Sequence, residues 1–329
     1  MLRRKLIVAA RVVAGLATIL ALGAGAAAAQ DYPTRPVKIV VPFGAGGGTD
    51  ALARFLARGF EARLGQPFII ENRGGSGTTI GALAVARAEP DGYTIMLGTA
   101  STFAVAPGLY KRLAYDPNKD FSPIMLLAKV PFVLVVNPSL GVNSVKELIA
   151  LAKSKPGELT YASAGVGAVH HIFCELLMTM TGIDMKHVPY RGGGQAINDV
   201  VAGHVPVYFA DVGPAAPLIR AGKLKALGVT TATRTGNLPE VPTLNEAGVT
   251  GYEANTWQMM VGPARMPAPI VTKLNAALAD FMRTPQAQQH FISLGMQPLI
   301  GTPEEAREYI RIESARWTKI IKGIGLSVN

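Results

Sequence analysis

Cysteine is almost missing from this chain: Cys174 is the one such residue in 329, so no intrachain disulfide staples the fold. It stands in the apolar helical pattern HHIFCELLMTM, where a small buried hydrophobe is expected rather than a nucleophile. Charge is scarce too, at 16% of residues, and no run of Lys and Arg interleaved with aromatics occurs, which excludes nucleic acid as a partner. Metal-ligand spacing is missing: His171 and Glu175 stand at i, i+4, but no third ligand lies nearby, so no metal is expected. Nothing basic follows Gly48, so the cluster GAGGGTD is not a Walker A phosphate loop.

The amino terminus is informative. Arg3, Arg4 and Lys5 precede a long apolar run that ends in small residues at Ala27 to Ala29, the pattern of a secretory signal with an A-x-A-type cleavage site. Residues 1–29 are therefore read as a cleaved signal peptide and the mature protein as periplasmic. Loss of Arg3, Arg4, Lys5 and Arg11 takes the net charge from +10 to +6, a modest value. The remaining chain of about 300 residues exceeds what one core usually organises, which suggests two domains. A hydrophobic content of 49% supports well-filled cores rather than disorder.

Apolar runs alternate with helical patterns. Strands are expected over 37–42, 68–71, 94–98, 130–138, 159–161, 185–190, 205–212 and 225–230, and helices over 50–63, 79–88, 144–153, 170–181, 195–202, 269–282 and 303–322. An extended stretch, TWQMMVGPA, follows a Pro-rich segment after the last of these strands. Such alternation signals α/β architecture, with mainly parallel sheets covered by helices.

Glycine-rich or hydroxyl-rich turns recur where a helix begins: GAGGGTD, RGGSGTTIG, GTAST, SAGVGAVHH and YRGGGQA. The first amide N–H groups of a helix lack internal partners and carry the positive end of its dipole, so a strand, a glycine turn and a helix start make an anion-binding device. Five of them point to one ligand held by converging helix termini. A dinucleotide loop is the alternative for GAGGGTD, with Glu71 near the place of a ribose-binding acid. Its third glycine, however, is Thr49, and an exported enzyme lacks a recycled nicotinamide. No cofactor is expected.

Taken together, VPFGAGGGTD, LGQPFIIENRGGSGTTIGA, ARAEPDGYTIMLG, YDPNKDFSPI, VPYRGGGQA and LPEVPTLNEAG closely resemble the Bug-type periplasmic solute-binding receptors of tripartite tricarboxylate transporters. The resemblance implies a two-lobed, type II-like periplasmic binding protein fold, with residues 30–131 and 255–329 in lobe 1 and 132–254 in lobe 2. It implies a monomer that captures a small carboxylate, an organic acid or an amino acid, and delivers it to the permease subunits of the transporter. One wall of the cleft would come from Phe43, Gly44, Ala45, Gly46, Gly47, Thr49 and Asp50, with Ser76, Thr78 and Thr79, and Thr99, Ala100 and Ser101 beside them. The other would come from Ser163, Ala164, Gly165, Val166, Gly167 and His170, with Tyr190, Arg191, Gly192 and Asp211. Such receptors hold carboxylates mostly by amides, hydroxyls and water. The chain departs from the family's W-x-G at Trp257-Gln258-Met259, which opens the question whether Met259 leans into the cleft or alters the hinge.

Several roles stay open at this stage. Arg191 either pairs with a distal carboxylate or is a solvated loop charge, and Asp211 either meets a ligand amine or caps a turn. Ser163 lies in ASAG, half of a nucleophile elbow, but Tyr161 takes the place of the elbow's first glycine. An exported α/β enzyme, nucleotide-dependent or a serine hydrolase, is the rival reading.

Overall fold

The computed structural model describes residues 32–328, so the leader expected over 1–29 lies outside the described residues. Strand β1 (Val37–Val41) is rich in β-branched residues and almost wholly buried, as a central strand covered by helices requires. The glycine loop then opens α1 (Gly48–Leu64), which buries Leu52, Phe55, Leu56 and Phe60 at helical spacing and ends at Gly65, in the left-handed region at φ 72°. Next come β2 (Phe68–Asn72), α2 (Thr79–Ala86) and β3 (Thr94–Thr99). A π-helical turn over Ser101–Val105 and the short α3 (Ala106–Leu109) lead into β4 (Phe121–Val130).

Pro131 ends β4, and the chain enters a second sheet. It contains β5 (Phe132–Val136), α4 (Val145–Ser154), β6 (Thr160–Ser163), α5 (Val169–Thr181), β7 (Lys186–Pro189), α6 (Gly193–Ala202), β8 (Val207–Asp211), α7 (Val212–Arg220) and β9 (Lys225–Val229). The return strand β10 (Thr256–Pro263) re-enters the first sheet, followed by α8 (Ala268–Met282), α9 (Pro285–Ser293), β11 (Gln297–Pro298) and α10 (Pro303–Gly323). Thr302 and Glu305 form a reciprocal capping box that fixes the start of α10.

The six-stranded sheet has the order β11-β4-β10-β3-β1-β2, and the five-stranded sheet β7-β6-β8-β5-β9. Both are mixed. β1 runs parallel to β2 and β3, whereas β10 runs antiparallel to β3 and β4; β6 runs parallel to β7 and β8, and β5 antiparallel to β8 and β9. Parallel strands end together at one edge of each sheet, and their following helices begin there, which places the glycine turns of both sheets face to face.

The two passages between the sheets lie side by side. Val130 pairs with Thr256 and Lys129 with Trp257. Thr230 bridges to the next residues: its N–H donates to Phe132 O at 2.9 Å, its Oγ1 accepts from Phe132 N–H at 3.1 Å, and its carbonyl accepts from Ala254 N–H. Behind them, the indoles of Trp257 and Trp317 both donate to Glu313 Oε2 at 3.2 Å, which ties β10 to α10. Glu313 is buried, so these two donors, with Arg316 on its other oxygen, satisfy a carboxylate that would otherwise be costly there.

Several elements were not expected from the sequence pattern, the short α3 and β11 among them. The strand FSPIMLLAKV was not expected because Pro123 interrupts it; Pro123 sits opposite Val261 next to a register shift, where a missing donor is tolerated. α7 contains Pro217 within its span, and α9 follows α8 after one turn at Thr284, whose hydroxyl accepts from Ala287 N–H. Proline and short length hid both helices.

Candidate functional site

A cavity of about 20 Å³ lies between the two sheets, near the volume one water needs. The walls around it are already in contact. Gly44 N–H donates to Arg191 O at 2.9 Å, and Val169 N–H donates to Ser101 Oγ at 3.0 Å, so each wall supplies one half of a seal. Tyr110 adds a third tie, its hydroxyl lying 2.9 Å from Ser76 O and 3.2 Å from Val166 O.

The first wall is the start of α1. Gly47, Gly48, Thr49 and Asp50 line the cavity, and the first hydrogen bond of the helix runs from Ala51 N–H to Gly47 O, which leaves the amides of these four residues outside the helix ladder and open to a guest. Gly46 has φ 89°, the conformation that needs glycine, whereas Gly47 at φ −87° does not. Asp50 organises this loop. Its Oδ2 accepts from Gly46 N–H and Arg54 Nε, and its Oδ1 from Asn72 Nδ2. Burial opposes its ionisation, but the bonds from Arg54, Asn72 and Gly46 outweigh that and hold the carboxyl below the usual range.

Strands β3 and β10 form the floor. Thr99, Thr256 and Gln258 line the cavity, and Gln258 Nε2 donates to Thr49 Oγ1 at 3.0 Å. Among the described residues, the hydroxyls of Thr99 and Thr256 and the Oε1 of Gln258 are buried with no hydrogen-bond partner. Such atoms cost free energy unless a guest or water meets them. Met259 is fully buried on the opposite face of the same strand, packed in the core and away from the cavity.

The second wall comes from the five-stranded sheet. Phe132, Val169, His170, Gly193 and Asp211 line the cavity there, with Phe43 reaching across from the first wall. His170 stands between aromatic rings: parallel to Tyr208 at 5.5 Å and edge-on to Phe132 at 4.9 Å. Its Nε2 lies 3.4 Å from Asp211 Oδ2.

The cavity wall thus takes in Phe43, Gly47, Thr49, Asp50, Thr99, His170 and Asp211 from the sequence reading. The rest of the expected set lies around it. Gly44 and Arg191 form the seal through main chain, and Gly192 packs on Gly44, while the Arg191 side chain is exposed. Ala45 and Gly46 meet Gly194 across the cleft, and Ala100 is buried beside Ser101. Thr78 bonds Thr102, Thr79 donates to Ser76 O, and Tyr190 donates to Asp199. Ser163, Ala164, Gly165, Val166 and Gly167 form a turn outside the lining. Ser163 Oγ accepts from Gly165 N–H and lies 2.6 Å from His187 Nε2.

That turn rests on a second cluster. His187 stacks on His171 at 4.2 Å, His171 Nε2 lies 3.5 Å from Glu175 Oε1, and Tyr161 donates to the same oxygen at 2.5 Å. Burial, with help from neighbouring His171, pushes His187 down to about 4. Among the described residues, no three side chains of His, Cys, Asp or Glu are grouped to hold a metal.

Gly48, Val169 and Gly193 fall inside the loops expected to wall the cleft, whereas Phe132, Thr256 and Gln258 were absent from the sequence reading. Gln258 did carry a signal, being a lone amide in the apolar strand TWQMMVGP.

Comparison with known proteins follows the same lines. Bordetella pertussis protein BugT is 35% identical over 298 residues, 90% of this chain and 91% of its own. Rpa4515 of R. palustris, solved with adipate, superposes with a TM-score of 0.87 at 38% identity, over 90% of this chain and all of that one. MatC (Rpa3494) of Rhodopseudomonas palustris, solved with bound malate, gives 0.83 at 34% identity, over 88% of this chain and all of that one. Residues 52–326 match the profile of the tripartite tricarboxylate transporter family receptor. With two lobes closing on a pocket of helix-terminal amides, and this similarity along nearly its whole length, the chain belongs to the TctC family of tripartite tricarboxylate transporter receptors.

Proposed function

We propose that this protein is an exported receptor that captures a small carboxylate in the cavity between its lobes and delivers it, as a monomer, to the membrane subunits of a tripartite transporter. Residues 30–131 and 255–329 act as one lobe and 132–254 as the other. The signal over residues 1–29 would direct export, and among the described residues no helix is long and apolar enough to cross a membrane. The observation that carries the reading is the pocket itself: free amides at the start of α1 beside unpartnered Thr99, Thr256 and Gln258 atoms, enclosed by lobes that already touch. Helix-terminal amides favour an anion, and the hydroxyls of Thr99 and Thr256 add donors. The ligands in the related structures, adipate and malate, are both carboxylates.

Opening requires the lobes to rotate about the paired passages at Val130 and Thr256. A guest bridging both walls then favours closure, because only the closed form lets it bond both. Binding rather than turnover fits Ser163, which is wholly buried and off the cavity, so no substrate bond reaches its hydroxyl.

A thermal-shift and dialysis screen of mono- and dicarboxylates tests this. A true ligand at a hundredfold excess over Kd should stabilise the fold by about 2.7 kcal/mol. No response from any carboxylate refutes it.

A further inference from the structure

Asp211 ends β8 and occupies the cap position of α7, where a carboxylate ordinarily accepts from the helix's first amides. It makes no such bond. Its carboxylate instead lines the cavity, buried to 8% exposure, and among the described residues His170 Nε2 is its one side-chain partner, at 3.4 Å, long for a charge-assisted hydrogen bond. A Cβ built on Gly48 would lie 2.8 Å from Asp211 Oδ1, and one on Gly193 would lie 3.5 Å from Oδ2, so the group stands directly between the two helix starts.

The other unpaired atoms nearby strengthen the pattern. Gln258 spends its Nε2 on Thr49, leaving an amide oxygen, an acceptor only, buried without a donor. In the tautomer whose Nε2–H faces Asp211, the Nδ1 of His170, buried and without a partner among the described residues, is an acceptor as well. The cavity therefore has two poles. Amides at α1 want an anion; Asp211, Gln258 and His170 want hydrogen.

We infer that the ligand carries a hydrogen-bond donor, an ammonium or a hydroxyl, in addition to its carboxylate, and that Asp211 is the residue that selects it. This rests on the carboxylate reading above. A plain acid would leave Gln258 Oε1 buried without a donor and Asp211 with only the long contact to His170, and a second bare carboxylate beside Asp211 would meet like charge. An ammonium gains most, since it answers a buried charge with the opposite one.

Isothermal titration with two matched series tests the inference: propionate, lactate and alanine, then succinate, malate and aspartate. Within each series the acids differ in what one carbon bears: hydrogen, hydroxyl or ammonium. In the native protein a donor-bearing acid should bind at least tenfold tighter than its unsubstituted parent in one series or both. Asp211→Asn keeps the shape and should narrow that gap to threefold or less, with the larger loss for the ammonium acid if charge is read. Equal affinities of parent and substituted acids in the native protein overturn the inference. So does an Asp211→Asn variant that weakens every acid by the same factor. If no carboxylate binds at all, the receptor reading falls and this inference falls with it; binding without donor preference refutes the inference alone.

Discussion

Replacing Gly192 by alanine tests whether the walls must meet main chain to main chain. Gly192 has φ 176° and ψ 163°, an extended conformation open to any residue, so the change creates no local strain. Its new Cβ, however, would lie 2.7 Å from Gly44 N and 3.0 Å from both Cα and O of Gly44, all backbone of the opposing wall. Carbon in van der Waals contact sits at about 3.5 Å, so the walls must part by roughly 0.8 Å. That displacement takes the bond from Gly44 N–H to Arg191 O beyond useful length, a loss of about 0.5–1.5 kcal/mol. Loosened contact of the adjoining loops and poorer bridging of the guest add to it. Affinity for a confirmed carboxylate should fall by about 10- to 100-fold, equivalent to about 1.4–2.8 kcal/mol. Melting without ligand should stay level or fall slightly, because the lost bond between the walls is only partly offset by the restriction alanine places on the unfolded chain, about 0.4–1 kcal/mol. Isothermal titration reads the first quantity and calorimetry the second, with Gly236→Ala, which has no neighbour within 4 Å, as control. Native affinity in a folded Gly192→Ala protein would refute the contact-closure argument.

Three further outcomes are expected. Gln258→Leu removes both the bond to Thr49 and the free Oε1, and should weaken binding by about 1–2 kcal/mol while leaving the melting temperature within a few degrees; an unchanged Kd means the floor does not touch the guest. Glu313→Leu strands two buried indole N–H groups and should cost about 2–4 kcal/mol in urea unfolding, whereas a loss under about 0.5 kcal/mol would show that the shared carboxylate holds nothing. His187 is neutral down to about pH 4 when folded but takes a proton near 6.5 when unfolded, so the unfolded chain binds more protons between those values. Stability present above pH 6.5 should therefore decline as pH falls toward 4, and His187→Asn should flatten that slope; an identical slope in the variant contradicts the assignment.

Much of the fold was legible because strand and helix periods differ and glycine turns mark their junctions. The helix over 303–322 and the strand over 37–42 depend on local capping and β-branching, both visible in the chain. β4 and α7 were not, since Pro123 and Pro217 are tolerated only because a register shift and a surface-facing helix accommodate them. For the site, the amide loop from Gly44 to Asp50 was readable, as were His170 and Asp211. Phe132, Thr256 and Gln258 were not read, because their place depends on two chain passages lying together, a contact between residues more than a hundred positions apart. Ser163 looked like a cleft residue from its glycine neighbours, yet its hydroxyl turns to His187 on the adjoining strand.

Apart from the ties of Ser101 and Tyr110, the seal between the lobes is built from backbone where Gly44, Gly74, Gly192 and Gly194 come together. Backbone is the same whatever side chains surround it. The choice among solutes and the latching are therefore written in separate alphabets: one in the side chains that surround the amides of the pocket, the other in the bare peptide at its rim. A substitution at Thr99, Gln258 or Asp211 lies away from the latch, while a single methyl group on Gly192 would crowd it whatever the solute. Such a scaffold can diversify its cargo cheaply, and it is fragile in just the places where it looks chemically blank.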